Sequence, residues 1–250
     1  MFIPKTAGVE HSMNFPCPLL AGRLLRRYKR FLADVELESG EVVTVHCPNT
    51  GAMLGCDDSG SRVWLSTSDN PKRRYPHTWE MVETRSGVIV GIHTGRSNAI
   101  IMEALTSGLL PELGPWDNVR REVRIPDLGV RVDFKLESDG KPDRFLEVKN
   151  VTAAVSKGIA LFPDAVSERA VRHLRTLIAL VEQGFEAALC YCVQRIDVHT
   201  VRPAAEIHPE YATVLAEARA AGVLITGVVC SVSPTAIVPQ GRAGIEVDVV

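Results

Sequence analysis

The sequence predicts two successive domains, a small all-β barrel or sandwich over residues 1–90 and an α/β layer over residues 91–250. Three observations predict this. Residues 15–95 read as short strands punctuated by turn formers. From about residue 97, helical and strand patterns alternate, as in an α/β arrangement. The change of pattern falls near residues 85–97.

In the first half the strand candidates are residues 19–37 (LLAGRLLRRYKRFLADVEL), 41–47, 62–68 and 87–93. Between them stand Ser39-Gly40, Pro48-Asn49-Thr50-Gly51, Asp57-Asp58-Ser59-Gly60 and Ser86-Gly87. These residues tolerate or preset turn conformations. Several short strands at this spacing argue for a barrel or sandwich rather than a helical bundle.

In the second half, residues 97–110 read as a helix, opened by Ser97 or Asn98 as N-cap and closed near Gly108. Strand candidates follow at 122–125, 129–137 and 144–150. A helix is expected from about 165 to 183, capped by Asp164, with apolar positions 166, 170, 174, 177, 178 and 181 at helical spacing. Residues 186–194 read as a strand, 210–222 as a helix and 223–230 as the final strand.

Composition narrows the function classes. A net charge of −2 and a pI of about 6.4 exclude a global basic field, so any affinity for nucleic acid must come from a local patch. The N-terminal stretch lacks the basic-then-apolar pattern of a secretory signal, and the run 222–230 is far too short to span a bilayer. The cysteines at 17, 47, 56, 190, 192 and 230 form no CxxC pair and no zinc spacing. Cys190 and Cys192 read as buried thiols on one strand face, and the expected compartment is the reducing cytoplasm.

The chemistry concentrates in two strands. Residues 129–137 and 144–150 flank the turn-rich SDGKPD and are expected to form an antiparallel hairpin. Side chains alternate along a strand, so Val132, Phe134 and Leu136 share one face while Arg131, Asp133 and Lys135 share the other. Glu147 and Lys149 likewise oppose Leu146 and Val148. One face therefore packs on the core, and the other gathers Asp133, Glu147 and Lys149. Two nearby carboxylates repel unless a cation lies between them. Mg²⁺, with Mn²⁺ as substitute, prefers such oxygen ligands and commonly uses only one or two carboxylates. A lysine two residues away suits phosphate chemistry better than glycoside hydrolysis, which needs two carboxylates across a sugar-sized cleft.

Basic residues interleaved with aromatics mark where nucleic acid would lie. Arg23, Arg26, Arg27, Lys29 and Arg30 crowd one strand candidate together with Tyr28 and Phe31. Lys72, Arg73 and Arg74 precede Tyr75 on an expected loop. Cations neutralise phosphates and aromatic faces stack bases. Arg169 and Arg172 stand three apart on the helix after the carboxylates, where His173 is expected at the surface.

The carboxylate–lysine arrangement resembles the restriction-endonuclease-like superfamily, with Asp133, Glu147 and Lys149 at its motif positions. Val132 stands where that motif often has proline, and Glu103 matches an additional acidic position used by some members. More broadly, RLLRRYKRFLADV, HCPNTGAM, STSDN, KRRYPHTWE, RVDF, EVKNVT and FPDAVSERA together resemble the sugar fermentation stimulation protein A family, over about residues 17–235. That resemblance implies an N-terminal OB-like small barrel followed by a restriction-endonuclease-like α/β domain. It also implies DNA binding and a link to regulation of maltose-type sugar metabolism. Nothing in the sequence marks a helix-turn-helix, so strong sequence specificity is not expected.

Overall fold

The computed structural model describes residues 13–125, 128–156 and 158–247. The stretch read as lacking a secretory pattern therefore lies outside the described residues through Ser12. Among the described residues no helix is long and apolar enough to cross a membrane.

In chain order the strands are β1 (Met13–Asn14), β2 (Leu20–Tyr28), β3 (Leu32–Leu37), β4 (Val42–His46), β5 (Arg62–Thr67), β6 (His77–Glu83) and β7 (Ile89–Gly91). After helix α1 (Ser97–Thr106) come β8 (Asn118–Ile125), β9 (Val130–Glu137), β10 (Arg144–Val151), β11 (Ala154–Ser156) and β12 (Gly158–Phe162). Helix α2 (Glu168–Glu182), β13 (Glu186–Val193), β14 (Val198–Pro203) and helix α3 (Pro209–Ala220) follow. The chain closes with β15 (Leu224–Val232), β16 (Ala236–Arg242) and β17 (Gly244–Ile245).

The first domain is a closed OB barrel. Its strands run β4-β3-β2-β5-β6-β7, and a β4–β6 pairing joins the ends so that five strands close on themselves. Leu24, Val35, Val63, Leu65 and Trp79 fill the interior without solvent exposure. Residues 19–37, expected as one strand, are two: β2 and β3 turn at Lys29 and Arg30, with φ of 51° and 65°. No Gly, Asn or Asp marks that hairpin, which is why the sequence hid it. Strand β6 was not expected either. It is buried along most of its length and so carries no polar–apolar alternation.

The second domain is a seven-stranded sheet in the order β1-β16-β15-β13-β10-β9-β8, flanked by a smaller sheet β11-β12-β14-β17. Strands β10, β13 and β15 run parallel, with α2 and α3 as their connections. Both crossover helices lie on one face, as successive right-handed connections along β10, β13 and β15 require, and α1 covers the other. Leu174, Leu177 and Tyr211 of α2 and α3 pack on one face, and Ile100, Ile101 and Ala104 of α1 on the other. The run 223–230 is not the final strand, because β16 and β17 follow it.

Three helix details depart from expectation. Helix α1 has Arg96 as N-cap, because Ser97 and Asn98 turn their side chains to other partners. Helix α2 begins at Glu168 and is capped by Ser167, whose Oγ accepts the N–H of Ala170 at 3.2 Å. Asp164 instead accepts the N–H of Met53 through Oδ2 at 2.8 Å, which ties the second domain to the barrel. A second tie joins Glu80 of β6, fully buried, to Arg96 at 2.6 Å.

Candidate active site in the interdomain cleft

Strand β9 loosens at the position the site needs. Its ladder to β10 pairs Leu136 with Arg144, Lys135 with Phe145 and Phe134 with Leu146, and then stops. One further step sets Asp133 opposite Glu147. On the other side the ladder pairs Phe134 with Arg121 and Val132 with Val123, which sets Asp133 opposite Glu122, whose φ is 53°. The ladder lapses there, and Val132 falls into the core under α2 and α3 while Phe134 and Leu136 stay in the core under α1. These three residues were expected on one face.

Freed from the ladder, Asp133 turns its carboxylate onto neighbouring donors. Oδ2 accepts the N–H of Val148 at 2.7 Å, and Oδ1 accepts Nδ2 of Asn98 at 2.9 Å. The same Asn98 amide reaches Oε1 of Glu122 at 3.3 Å. Burial, and after it the negative charge of Glu147, push the Asp133 carboxyl above its ordinary range.

Glu147 is buried at 4% exposure and satisfied differently. Its Oε1 accepts Nζ of Lys149 at 2.6 Å and also Nδ1 of His173. Nε2 of His173 accepts Nε–H of Arg169 at 3.3 Å, which assigns the ring proton to Nδ1. Burial alone would push the Glu147 carboxyl up. The hydrogen bond from His173 and the charge of Lys149 outweigh it and hold the carboxyl below its ordinary range. Two carboxylates with opposed shifts thus stand side by side, an arrangement typical of functional sites.

The site opens on a cleft between the domains through Asp133 and Lys149, while Glu147 is buried against Lys149. Asp133 and Lys149 line a cavity of about 570 Å³, together with Asn49 and Gly51 of the barrel and Asn98 of α1. Arg30 and Arg121 line it as well.

The expected residues do not all converge here. Glu103 accepts the N–H of Met13 at 3.1 Å, beside β1 at the far end of the sheet order from β9. It is therefore no ligand of the Asp133–Glu147 pair. Arg27 is spent inside the protein, donating to the carbonyls of Asn49 at 3.0 Å and Gly51 at 2.8 Å. Arg26 pairs with Asp34 at 2.8 Å, Tyr28 donates to Asp34 at 3.0 Å, and Arg23 donates to the carbonyl of Gly60 at 3.0 Å. Lys29 is an exposed turn residue. Lys72, Arg73 and Arg74 are exposed on their loop outside the cleft, with Arg73 bonded to Thr78 at 3.0 Å. Arg169 and Arg172 are exposed on α2, and Arg169 reaches the site through His173.

His173, expected at the surface, is buried at 8% exposure. A signal existed: it stands three residues after Ala170 and four before Leu177, on the buried stripe of the helix. Asn98, Glu122 and Arg121 had no comparable local signature.

The donor set suits Mg²⁺ in kind. Asp133 and Glu147 supply hard oxygens, and the repulsion that raises Asp133 is one a dication between the carboxylates would relieve. Among the described residues no cluster of three or more His, Cys, Asp or Glu is arranged to hold a metal, so other positions would fall to water or substrate oxygens.

Comparison with known proteins agrees with this two-domain plan. Residues 25–92 match the SfsA N-terminal OB domain, and residues 95–236 match the sugar fermentation stimulation protein RE domain. A sugar fermentation stimulation protein homolog of Alkalilimnicola ehrlichii is 56% identical over 212 residues, 84% of this chain and 89% of that protein. One of Halorhodospira halophila is 56% identical over 230 residues, covering 91% and 95%. The structure of Pyrococcus furiosus SfsA in complex with Ca²⁺ superposes with a TM-score of 0.84 at 25% identity, over 95% of this chain and 100% of that one. With both domains matched and relatives at this identity spanning nearly its full length, the chain belongs to the sugar fermentation stimulation protein family.

Proposed function

We propose that this chain binds DNA without strong sequence preference and hydrolyses its phosphodiester bonds with Mg²⁺, Mn²⁺ substituting. The family name speaks of sugar fermentation, and we extend the proposal to a link with the regulation of sugar metabolism of the maltose type. One observation carries the proposal: Asp133 and Lys149, the latter paired with the buried Glu147, line a cleft that Arg30 and Arg121 also line. A divalent ion bound by the carboxylates would supply an acidified water and offset charge on the phosphate. The protein's own groups do the rest. His173 and Lys149 keep Glu147 ionised, and Asn98 with the Val148 N–H orient Asp133. Lys149 would offer its ammonium to the charge added on the phosphate oxygens. Hydrolysis adds hydroxyl to phosphorus and returns a proton to the departing oxygen.

Plasmid nicking with Mg²⁺ or Mn²⁺ tests this. Lys149→Ala and Asp133→Ala are expected to lose about a hundredfold or more relative to wild type. Equal nicking by all three proteins, or no cleavage of plasmid or of a single-stranded circle with either metal, overturns the catalytic proposal.

A second reading rests on the same carboxylate. Glu147 already has two cationic or N–H partners, a state that favours a non-catalytic DNA-binding regulator retaining the nuclease fold. It predicts binding that survives Glu147→Gln and weakens steeply between about 50 and 200 mM salt, because phosphate contacts release counterions.

A further inference from the structure

We infer that the cleft receives a single DNA strand, a strand end or a nucleotide swung out of the helix, rather than intact duplex, with Arg30 and Arg121 as its phosphate-binding walls. The inference rests on the proposed function and names the form of its substrate.

The carboxylate–lysine floor is recessed. The side chains of Glu147 and Lys149 are only 5% and 11% exposed. Duplex DNA is stiff over about 150 base pairs and carries its phosphates on a convex outer surface. Such a rod cannot bring a phosphate down to a recessed floor, whereas a single strand can bend into it. The cavity of about 570 Å³ is also of the size that takes a small molecule or one nucleotide.

The walls are held shut. On the barrel side Arg27 grips the carbonyls of Asn49 and Gly51 at 3.0 and 2.8 Å. From the other domain, the Asp164 carboxylate accepts the N–H of Met53 at 2.8 Å. Gly51 lies so close that a Cβ there would come within 2.5 Å of Asp164 Oδ1. Widening the cleft for a duplex would break the Asp164–Met53 contact, while Arg27 keeps the barrel-side wall rigid.

The two arginines stand apart from the others near the site. Arg96 is paired with Glu80, and Arg131 with Glu122 at 2.9 Å. Arg30 and Arg121, both exposed and both on the cleft, have no carboxylate partner among the described residues. One comes from the β2–β3 turn and the other from edge strand β8, so they face the cleft from different domains. A strand crossing the cleft would meet a guanidinium from each side, and guanidinium is the side chain best matched to phosphate.

Fluorescence anisotropy tests the inference on the full chain without divalent ion. The probes are a labelled single strand of about 16 nucleotides and a blunt duplex of the same length. Single-strand binding is expected to be about tenfold tighter or more. Arg30→Ala and Arg121→Ala are each expected to weaken it about fivefold with melting temperature unchanged. Equal or tighter duplex binding, no binding of either probe, or indifference to both substitutions overturns the inference. If the duplex binds as well as the single strand while closed plasmid is nicked with Mg²⁺, the inference falls and the nuclease proposal stands. If strand selectivity and both arginine effects appear without any cleavage, the inference stands and the catalytic proposal falls.

Discussion

His173 of α2 donates Nδ1–H to the Oε1 atom of Glu147 on β10, the same oxygen that accepts Lys149 Nζ at 2.6 Å. The carboxylate is therefore kept ionised jointly by a lysine of its own strand and by a helix that follows it in the chain.

Replacing His173 with Ala removes that donor and leaves Arg169 without its acceptor. Loss of a hydrogen bond to a buried charge is expected to cost about 1–3 kcal/mol, read as a lower urea midpoint at unchanged m-value. His173→Ala with wild-type stability would mean that the contact contributes nothing.

The two carboxylates should respond to acid in opposite senses. Glu147 is held below its ordinary range when folded, so its stabilising contribution is present above the unfolded carboxylate pKa and is lost as pH falls through the folded value. Glu147→Gln should therefore flatten the acid limb of the melting curve. Asp133 is raised when folded, so wild type loses stability as pH rises from the unfolded pKa through the folded one. The difference in melting temperature between Asp133→Asn and wild type should accordingly grow more favourable with rising pH. A difference that falls with pH would contradict the assigned burial and repulsion.

Gly51→Ala would drive a methyl group to within 2.5 Å of the Asp164 carboxylate. Asp164→Ala removes the acceptor of the Met53 N–H but also makes room. The double variant should be less destabilised than the sum of the single ones, with a coupling of about 0.5–3 kcal/mol. Additive urea midpoints would show that the two residues do not meet.

Divalent ion should raise thermal stability by mass action. At about a hundredfold excess over its dissociation constant, Mg²⁺ contributes about 2.7 kcal/mol. Asp133→Asn should abolish most of that gain. A gain of equal size in the variant would place the ion elsewhere.

Local periodicity and one short turn were enough to place Asp133, Glu147 and Lys149 near one another. Strand side chains alternate, and a six-residue linker leaves the hairpin little freedom of register, so the relationship is set within residues 129–150. The helices and the parallel strands were legible for the same reason, since each writes its own period into the chain. Strand β6 and the Lys29–Arg30 turn were not, because a strand buried on both faces has no alternation and two basic residues are unusual in left-handed turn positions.

What the tertiary structure alone decided is who stands around that pair. Asn98 meets Asp133 across 35 residues, and Asp164 meets Met53 across 111. Tertiary packing also turned Arg27 inward to hold a loop and carried Glu103 away to β1. Charge and residue type are local properties, whereas partnership depends on which elements the sheet order and helix crossings bring together. Asp133, Glu147 and Lys149 could be named from the chain because one hairpin holds them. The His173 partner of Glu147, the Asn98 partner of Asp133 and the width of the cleft come from contacts no local pattern encodes.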